Sequence, residues 1–458
     1  MTGAVLLVPR TDPCRARRAR WRGAALVLAS LLPLAAPARA ADPIVTLEEA
    51  SARALATDEQ IQAAAADRER AAVAPLRAAS ALGPNVREIV SYTREKDEIA
   101  FPPEAAAALP GFNPVVIAQD VVRNVLAIGQ PLYTHQFWAL RDIGRAEVAR
   151  SDEAYRAARQ DVLLAVAAAY YDALRAAALA DVARQTQGLA GVEVKHAEER
   201  VHAGEAVRSD VLRAETERAR SDERVAATAG QVENTRESLR RLASLSEPFA
   251  LTEPPSRRLD LASVEPYLAA ARDRSPDLAQ REKALASAQG EEKRRQAELY
   301  PTLGLEFSYQ NLNHDTFADR NDFWNLIVRA QVPLFESGGT HWLDVAEQRA
   351  VVSRLAAQLA GFRRDLEVDV RHAFVTARTL DAQRAAAEEE VQLSGETYRM
   401  LSDQYRAGVA TNLDVLTSLT TLATARASLA SIRYALAVAL VQLERVAGTL
   451  GEAEGATP

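Results

Sequence analysis

One layout of landmarks runs through this chain twice, about two hundred residues apart. Gln130-Pro131-Leu132-Tyr133 returns as Val332-Pro333-Leu334-Phe335, and Ala203-Gly204 followed by Asp210-Val211-Leu212 returns as Ala407-Gly408 followed by Asp414-Val415-Leu416. The step from Gly to Asp is six residues in both copies, and the step from Pro to Gly is 73 residues in the first and 75 in the second. The Ser337-Gly338-Gly339-Thr340 turn absorbs the extra pair, and upstream the stretch from Pro84 to Tyr92 matches that from Pro301 to Tyr309. A repeat of this length exceeds a solenoid unit, so each copy is a sizeable half of one structure. The chain divides accordingly into an N-terminal segment (1–40), a first repeat (41–248), a linker (249–260), a second repeat (261–449) and a tail (450–458).

Each repeat contains a long stretch free of proline, 135–202 and 341–406. In the first, Val162, Val166, Ala169, Tyr170, Ala173 and Leu174 follow the alternating three- and four-residue spacing of a helix packed along one seam; in the second, Leu366, Val370, Phe374 and Ala377 do the same. At 1.5 Å per residue each makes a rod of about 100 Å, longer than a globular domain is wide. After each Ala-Gly a shorter helix returns, over 209–245 and 413–449, so long and short helices form two hairpins. Further helices open the repeats, over 47–82 and 261–299. Aromatics are only 5% of the chain, a composition typical of long helices.

Between helices lie short alternating segments. Leu303, Leu305, Phe307 and Tyr309 alternate with Gly304, Glu306, Ser308 and Gln310, the period of a strand with one wet face. Trp324, Leu326, Val328, Ala330 and Val332 alternate with Asn325, Arg329 and Gln331, with Ile327 breaking the polar side. Their length of about ten residues crosses a hydrocarbon layer when tilted. Repeat one supplies poorer counterparts at 85–93 and 120–130, separated by a loop with Phe101-Pro102-Pro103 and Pro110-Gly111.

The first 40 residues read as an export signal. Arginines from Arg10 to Arg22 precede an apolar run over 24–36, and Ala38-Arg39-Ala40 offers a cleavage site. No later stretch approaches 20 consecutive apolar residues, which argues against a helical membrane protein. The net charge is −7, and removing this arginine-rich segment makes the remainder more acidic, which disfavours nucleic acid as a partner. The only cysteine, Cys14, lies in the basic segment, ahead of the apolar run, so no disulfide, thiolate metal site or lipid-anchored cysteine is expected. His196 and His202 are six residues apart, on different helix faces, which speaks against metal ligation. No Ser-His-Asp, paired-carboxylate or phosphate-loop pattern stands out, so neither enzyme activity nor a cofactor is indicated.

Exported strands with an apolar face enter a membrane only when their edges are closed, because unpaired backbone groups in lipid cost several kcal/mol each. Four strands cannot close a barrel of useful bore. The chain is therefore expected to oligomerise, each protomer giving four strands to a barrel in outer-membrane lipid while its helices form a tube below. The fold class is mainly α with a small β part. Tyr309, Phe323 and Trp324, at strand ends, are candidates for an interfacial aromatic girdle.

From Val45-Thr46-Leu47-Glu48-Glu49-Ala50 to Thr449 the sequence resembles the TolC-like outer-membrane channel-tunnel proteins of tripartite efflux and type I secretion systems. The most specific signature is the run Tyr405-Arg406-Ala407-Gly408-Val409-Ala410-Thr411-Asn412-Leu413-Asp414-Val415-Leu416. The resemblance implies a homotrimer with a twelve-stranded barrel and a twelve-helix periplasmic tunnel, joined to a periplasmic adaptor protein and an inner-membrane transporter. It makes the glycine turns the adaptor-docking tip, with Gly204, Val207, Arg208, Gly408, Val409 and Leu413 on the surface. It also implies a periplasmic gate in which Asp414 matches a constriction aspartate, and Asp210 and Tyr405 match a pair linking the hairpins. In a trimer three Asp414 carboxylates near the axis would raise one another's pKa and favour cations. The chain departs from the family pattern at Thr417, where a second aspartate stands, and at Ala410, where an arginine link stands.

Two plainer readings compete. Helical spacing rich in alanine also suits an exported coiled-coil scaffold or adaptor without a pore. Glu198, Glu199, Glu205, Asp210, Asp403 and Asp414 also suit a solvated face or helix-start caps, although caps alone leave the matched Gly-to-Asp distance unexplained.

Overall fold

The computed structural model describes residues 44–108, 113–246, 248–255, 257, 259–313, 321–334 and 337–451. The export segment 1–40, Pro110-Gly111, Phe335 and nearly all of the tail lie outside the described residues.

The first half opens with strand β1 (Ile44–Val45) and helices α1 (Leu47–Thr57), α2 (Glu59–Ala72) and α3 (Ala74–Ser80). Strand β2 (Asn85–Arg94) follows, then the small elements β3 (Ile99–Ala100), α4 (Pro103–Ala107) and β4 (Val115–Ile117), then strand β5 (Asp120–Tyr133). Long helix α5 (Gln136–His202) and return helix α6 (Arg208–Leu242) complete this half. Strand β6 (Ala250–Leu251) lies in the connection. The second half repeats the plan with α7 (Glu265–Arg274), α8 (Pro276–Ala297), β7 (Thr302–Leu312), β8 (Asp322–Gln331), a 3-10 turn (Ser337–Gly339), α9 (Thr340–Arg406) and α10 (Asn412–Val446). Both long helices have 67 residues and both return helices 35.

The long and return helices match the sequence reading to within a few residues, but the opening helices do not. The stretch 47–82 is three helices and 261–299 is two. Asp58 breaks the first by turning extended and capping α2, its side chain accepting from the Gln60 and Ile61 amides. Ser275 does the same for α8, accepting from the Leu278 amide, with Pro276 just inside the helix where its missing N–H costs nothing. An apolar period continues smoothly across such a break, so periodicity alone overruns it.

The main sheet has the order β2-β5-β7-β8, antiparallel throughout, so repeat one and repeat two join through β5 and β7. The two poorly alternating segments of repeat one are therefore true strands. Directly paired residues share a face. Leu303 faces Ala330, Leu305 faces Val328, Phe307 faces Leu326 and Tyr309 faces Trp324, and β5 adds Ile128 and Leu126 beside Phe307 and Tyr309. The opposite face carries a Glu306–Arg329 ion pair at 3.1 Å and a Ser308–Asn325 hydrogen bond at 2.8 Å. Ile327 sits there opposite Glu306, which is how it breaks the polar side without changing the fold. Phe323 is a correction to the aromatic group: it faces Gln310 on this polar side, because the period of two sends it away from its neighbour Trp324.

Contrary to the expectation from apolar runs, α5 and α10 each contain an 18-residue window apolar enough to cross a membrane. In α5 that apolarity belongs to a packed seam. Val162, Leu163, Val166, Tyr170, Tyr171 and Leu174 are buried with Val45 and Ala50 of the N-terminal elements, Leu239 of α6, Phe249 of the connection and Val441 of α10. Tyr170 lies at the centre of this core. Its hydroxyl donates towards Val45 O (2.9 Å) and Thr252 O (2.6 Å) and is approached by the Thr252 amide (3.2 Å), next to the parallel β1–β6 pair. Buried Gln160 donates to Gly448 O and Leu450 O, fastening the end of the second half to α5. The one hydroxyl proton serves the buried Val45 carbonyl or the part-buried Thr252 carbonyl, so Tyr170→Phe removes that donor together with the acceptor of the Thr252 amide and is expected to cost about 1–3 kcal/mol. Unchanged thermal denaturation in that variant would reject this role.

Candidate functional site at the hairpin tips

The two turns that join the long and return helices are built alike. The amide of Gly204 bonds Val201 O (3.1 Å) and that of Glu205 bonds Arg200 O (2.9 Å); the amide of Gly408 bonds Tyr405 O (3.1 Å) and that of Val409 bonds Gln404 O (2.9 Å). Both are Schellman ends, and the residue that closes each must be left-handed: φ is 77° at Gly204 and 79° at Gly408. Val207 and Arg208 beside one turn, and Val409 and Leu413 beside the other, are exposed, Val409 at 77%.

The matched Gly-to-Asp distance follows from these turns. Equal closures bring the chain to the helix starts in step, and Asp210 and Asp414 both occupy the third position of a return helix, capped by Val207 and Thr411 respectively. A carboxylate there faces free amides and the positive end of the helix. The structure thus supplies the local explanation that caps alone had seemed to lack. Only the second start is a full capping box: the Thr411 hydroxyl donates to Asp414 Oδ2 (2.6 Å), the Thr411 amide bonds the same oxygen (3.1 Å), and the Asp414 amide bonds Thr411 Oγ1 (3.2 Å). These bonds, the hydroxyl first, hold the Asp414 carboxyl below the ordinary aspartate range. Within one protomer the local effect therefore runs opposite to the rise expected from three converging carboxylates. Val207 has no hydroxyl to complete such a box, and Asp210 pairs instead with Arg213 at 3.5 Å.

The implied Asp210–Tyr405 link is a second correction, since the structure does not join these residues. Tyr405 is buried at 1% exposure, and its hydroxyl accepts from Asn412 Nδ2 (3.4 Å) in its own hairpin. What crosses between hairpins is Arg200 of α5. Its guanidinium lies 4.6 Å from the Tyr405 ring centroid, Nη1 donates to Tyr405 O (3.0 Å) and Nη2 to Glu205 O (3.4 Å). A second crossing lies further from the tip. Glu193 of α5, 1% exposed, accepts at Oε1 from Tyr398 Oη (2.8 Å) and Ser402 Oγ (3.0 Å) of α9, while His196 Nδ1 is 3.3 Å from its other oxygen. Burial and this carboxylate push the Tyr398 hydroxyl pKa well up, so it remains a donor.

Sequence reasoning passed over both Glu193 and Arg200. Glu193 carried a signal: it stands three residues after Ala190 and four before Ala197, on a seam of buried small residues. Arg200 is legible only by contrast, because the matched position of repeat two holds Gln404. Elsewhere, Glu298, His341 and Asp344 present possible metal-ligating atoms within 4.8 Å of one another. Arg294 Nη1 lies 2.8 Å from Glu298, and Arg295 Nη1 lies 3.8 Å from Glu298 and 3.9 Å from Asp344, so the carboxylates are already balanced by guanidinium.

The comparisons with known proteins agree with this architecture. Residues 50–244 and 267–449 match the outer membrane efflux protein family, and the chain belongs to that family. It is an outer-membrane transport protein of a Gram-negative envelope, not a member of an enzyme family. The chain is 25% identical over 427 residues to the outer membrane protein TolC of Vibrio cholerae, covering 89% of this chain and 91% of that one. It is 26% identical over 356 residues to the alkaline protease secretion protein AprF of Pseudomonas aeruginosa, covering 73% and 71%. Among solved structures, CusC superposes with a TM-score of 0.75 at 17% identity, covering 88% of this chain and 92% of that one. The outer membrane protein VceC of Vibrio cholerae superposes with 0.72 at 19%, covering 88% and 96%.

The Asp414 box predicts a pH signature at one tip only. A carboxyl whose pKa is lowered by folding contributes fully above the unfolded aspartate value, and that contribution is lost as pH falls through the lower folded value. Amide exchange at Thr411, corrected for its intrinsic rate, is expected to accelerate across that acidic window, and Asp414→Asn is expected to remove the transition. Identical profiles in parent and variant would show that the box does not hold the helix start.

Proposed function

We propose that three copies of this chain form a passive conduit, with the four-stranded sheets closed into one barrel in the outer membrane and the helical hairpins forming a periplasmic tunnel. In this reading the glycine turns meet a periplasmic adaptor, and an inner-membrane transporter drives the cargo. The observation that carries it is the main sheet: one face is apolar, and its outer strands β2 and β8 leave their outer edges unpaired among the described residues. Such a sheet is tolerated in hydrocarbon only when further strands close it. The scaffold alternative would leave Val328 and Trp324, 66% and 67% exposed, in water without a use. Two relatives are named for protease secretion and two for pyoverdine export, so both protein and small-molecule cargo suit a conduit of this design. Tyr309 and Trp324 serve as interfacial aromatics, and the exposed Val207, Arg208, Val409 and Leu413 as the docking surface.

Val328→Arg places a charge on the proposed lipid face and is expected to cost about 2 to 4 kcal/mol of membrane stability. Leu305→Arg, on its direct cross-strand partner, is expected to behave alike. The measurement is recovery of trimer from outer-membrane extracts; normal yields from both variants would remove the barrel assignment.

Docking is tested separately at Gly408. A valine is strained at its φ of 79°, so Gly408→Val is expected to abolish export with little loss of trimer. Export at the parental level, or cross-links from Arg208 that never capture a periplasmic partner, would place docking elsewhere.

A further inference from the structure

Near the middle of the long helices, far along the chain from both tips, lies a cavity of about 470 Å³, within the range of ordinary ligand sites. Its walls come from α5 (Tyr171), the connection between the halves, α9 (Asp381 and Arg384) and α10 (Arg433 to Leu440). Much of the lining is ring: Tyr171, Tyr434, Pro254 and Pro255, with Leu259 and Leu440 among them. Tyr171 is only 5% exposed, yet among the described residues its hydroxyl has no hydrogen-bond partner, whereas the hydroxyl of its neighbour Tyr170 meets the main chain of Val45 and Thr252. The matched pair in repeat two is Phe374-Val375, so the duplicated plan does not call for a hydroxyl at this place. A buried hydroxyl left without a partner is costly. Burial pushes the Tyr171 pKa up, with Arg257 pulling the other way, so the group keeps its proton and can donate it.

The charges around the cavity are already matched. Three guanidiniums reach its wall among the described residues: Arg257 pairs with Glu444, Arg433 with Glu253 at 2.6 Å, and Arg384 with Asp381 at 3.1 Å and Glu388 at 2.9 Å. An ionised guest would have to break one of these pairs or stay uncompensated in a partly dry place. A neutral guest with a flat face can lie against the tyrosine and proline rings, and one acceptor atom on it would complete Tyr171.

We propose that this cavity is a binding site for an uncharged aromatic molecule bearing one hydrogen-bond acceptor, with the rings of Tyr171 and Tyr434 packing on its faces and the Tyr171 hydroxyl donating to its acceptor. Because the walls come from both halves of the chain, an occupied site also ties α5, α9 and α10 to the connection, and occupancy stabilises the fold in proportion to ligand concentration.

Equilibrium binding to the full-length protein in lipid nanodiscs, with empty discs as the reference, tests this with three probes: acetylnaphthalene, naphthalene and naphthoate. Acetylnaphthalene is expected to bind saturably above the empty-disc background and to raise the midpoint of thermal denaturation. Naphthalene, without an acceptor, is expected to bind roughly fivefold to tenfold more weakly, the loss of about one hydrogen bond, and anionic naphthoate more weakly than acetylnaphthalene. Tyr171→Phe is expected to weaken acetylnaphthalene by that same factor while leaving naphthalene unchanged, a pattern that a purely structural role of the residue would not give. Ala437→Phe, which puts a ring into the cavity, is expected to abolish binding of both; should it fail to assemble, Tyr171→Phe, which keeps the ring, carries the test. No saturable binding to the parent, equal losses for the two neutral probes in Tyr171→Phe, or naphthoate as the tightest ligand would overturn the site. Binding is read without conduction, so these failures leave the conduit reading standing.

Discussion

Pairing of β5 with β7 is the contact on which the rest of the molecule depends. Each half alone supplies only a two-stranded hairpin, too small to be stable by itself. Joining the hairpins antiparallel aligns one apolar face across four strands and sets the register that puts Leu305 opposite Val328. It also brings the two long helices out of the sheet from the same duplicated plan. The wet face, with Glu306 and Arg329, and the dry face, with Phe307 and Trp324, are both consequences of that register.

Much of this was legible in the residues. The proline-free stretches located α5 and α9 almost to the residue, because a helix of such length has few places to stop. The strands of repeat two announced themselves by alternation, whereas β2 and β5 were visible only through the duplication, their own alternation being too irregular. What stayed hidden was local or three-dimensional. The breaks at Asp58 and Ser275 depend on side chains that turn back onto amides two or three residues ahead, a competition that periodicity does not register. Phe323 was grouped with Trp324 by type although adjacent strand residues face opposite ways.

At the tips, resemblance placed the important residues in the right region but assigned two of them a bond the chain does not make. Tyr405 is as buried as a linking residue should be, yet its hydroxyl accepts from Asn412 and its ring from Arg200. Arg200 supplies from α5 a cation near the hairpin junction, where Ala410 offers none. The charge pattern around a tip can therefore be rearranged between helices while the backbone geometry, fixed by two Schellman turns, stays the same.

The parallel pairing of β1 with β6 around Tyr170 also has a temporal meaning. Ile44 and Ala250 are distant in sequence, yet both precede the whole second half. As the exported chain emerges N-terminus first, the first hairpin and its opening helices can thus be gathered around Tyr170 before β7 arrives. The clasp of Gln160 on Gly448 and Leu450 is available only when the chain is nearly complete. Assembly has a built-in order, an early knot and a late one on the same helix, and between the early knot and the arrival of β7 the inner edge of β5 stays unmatched, the interval in which such a chain is most exposed to mispairing.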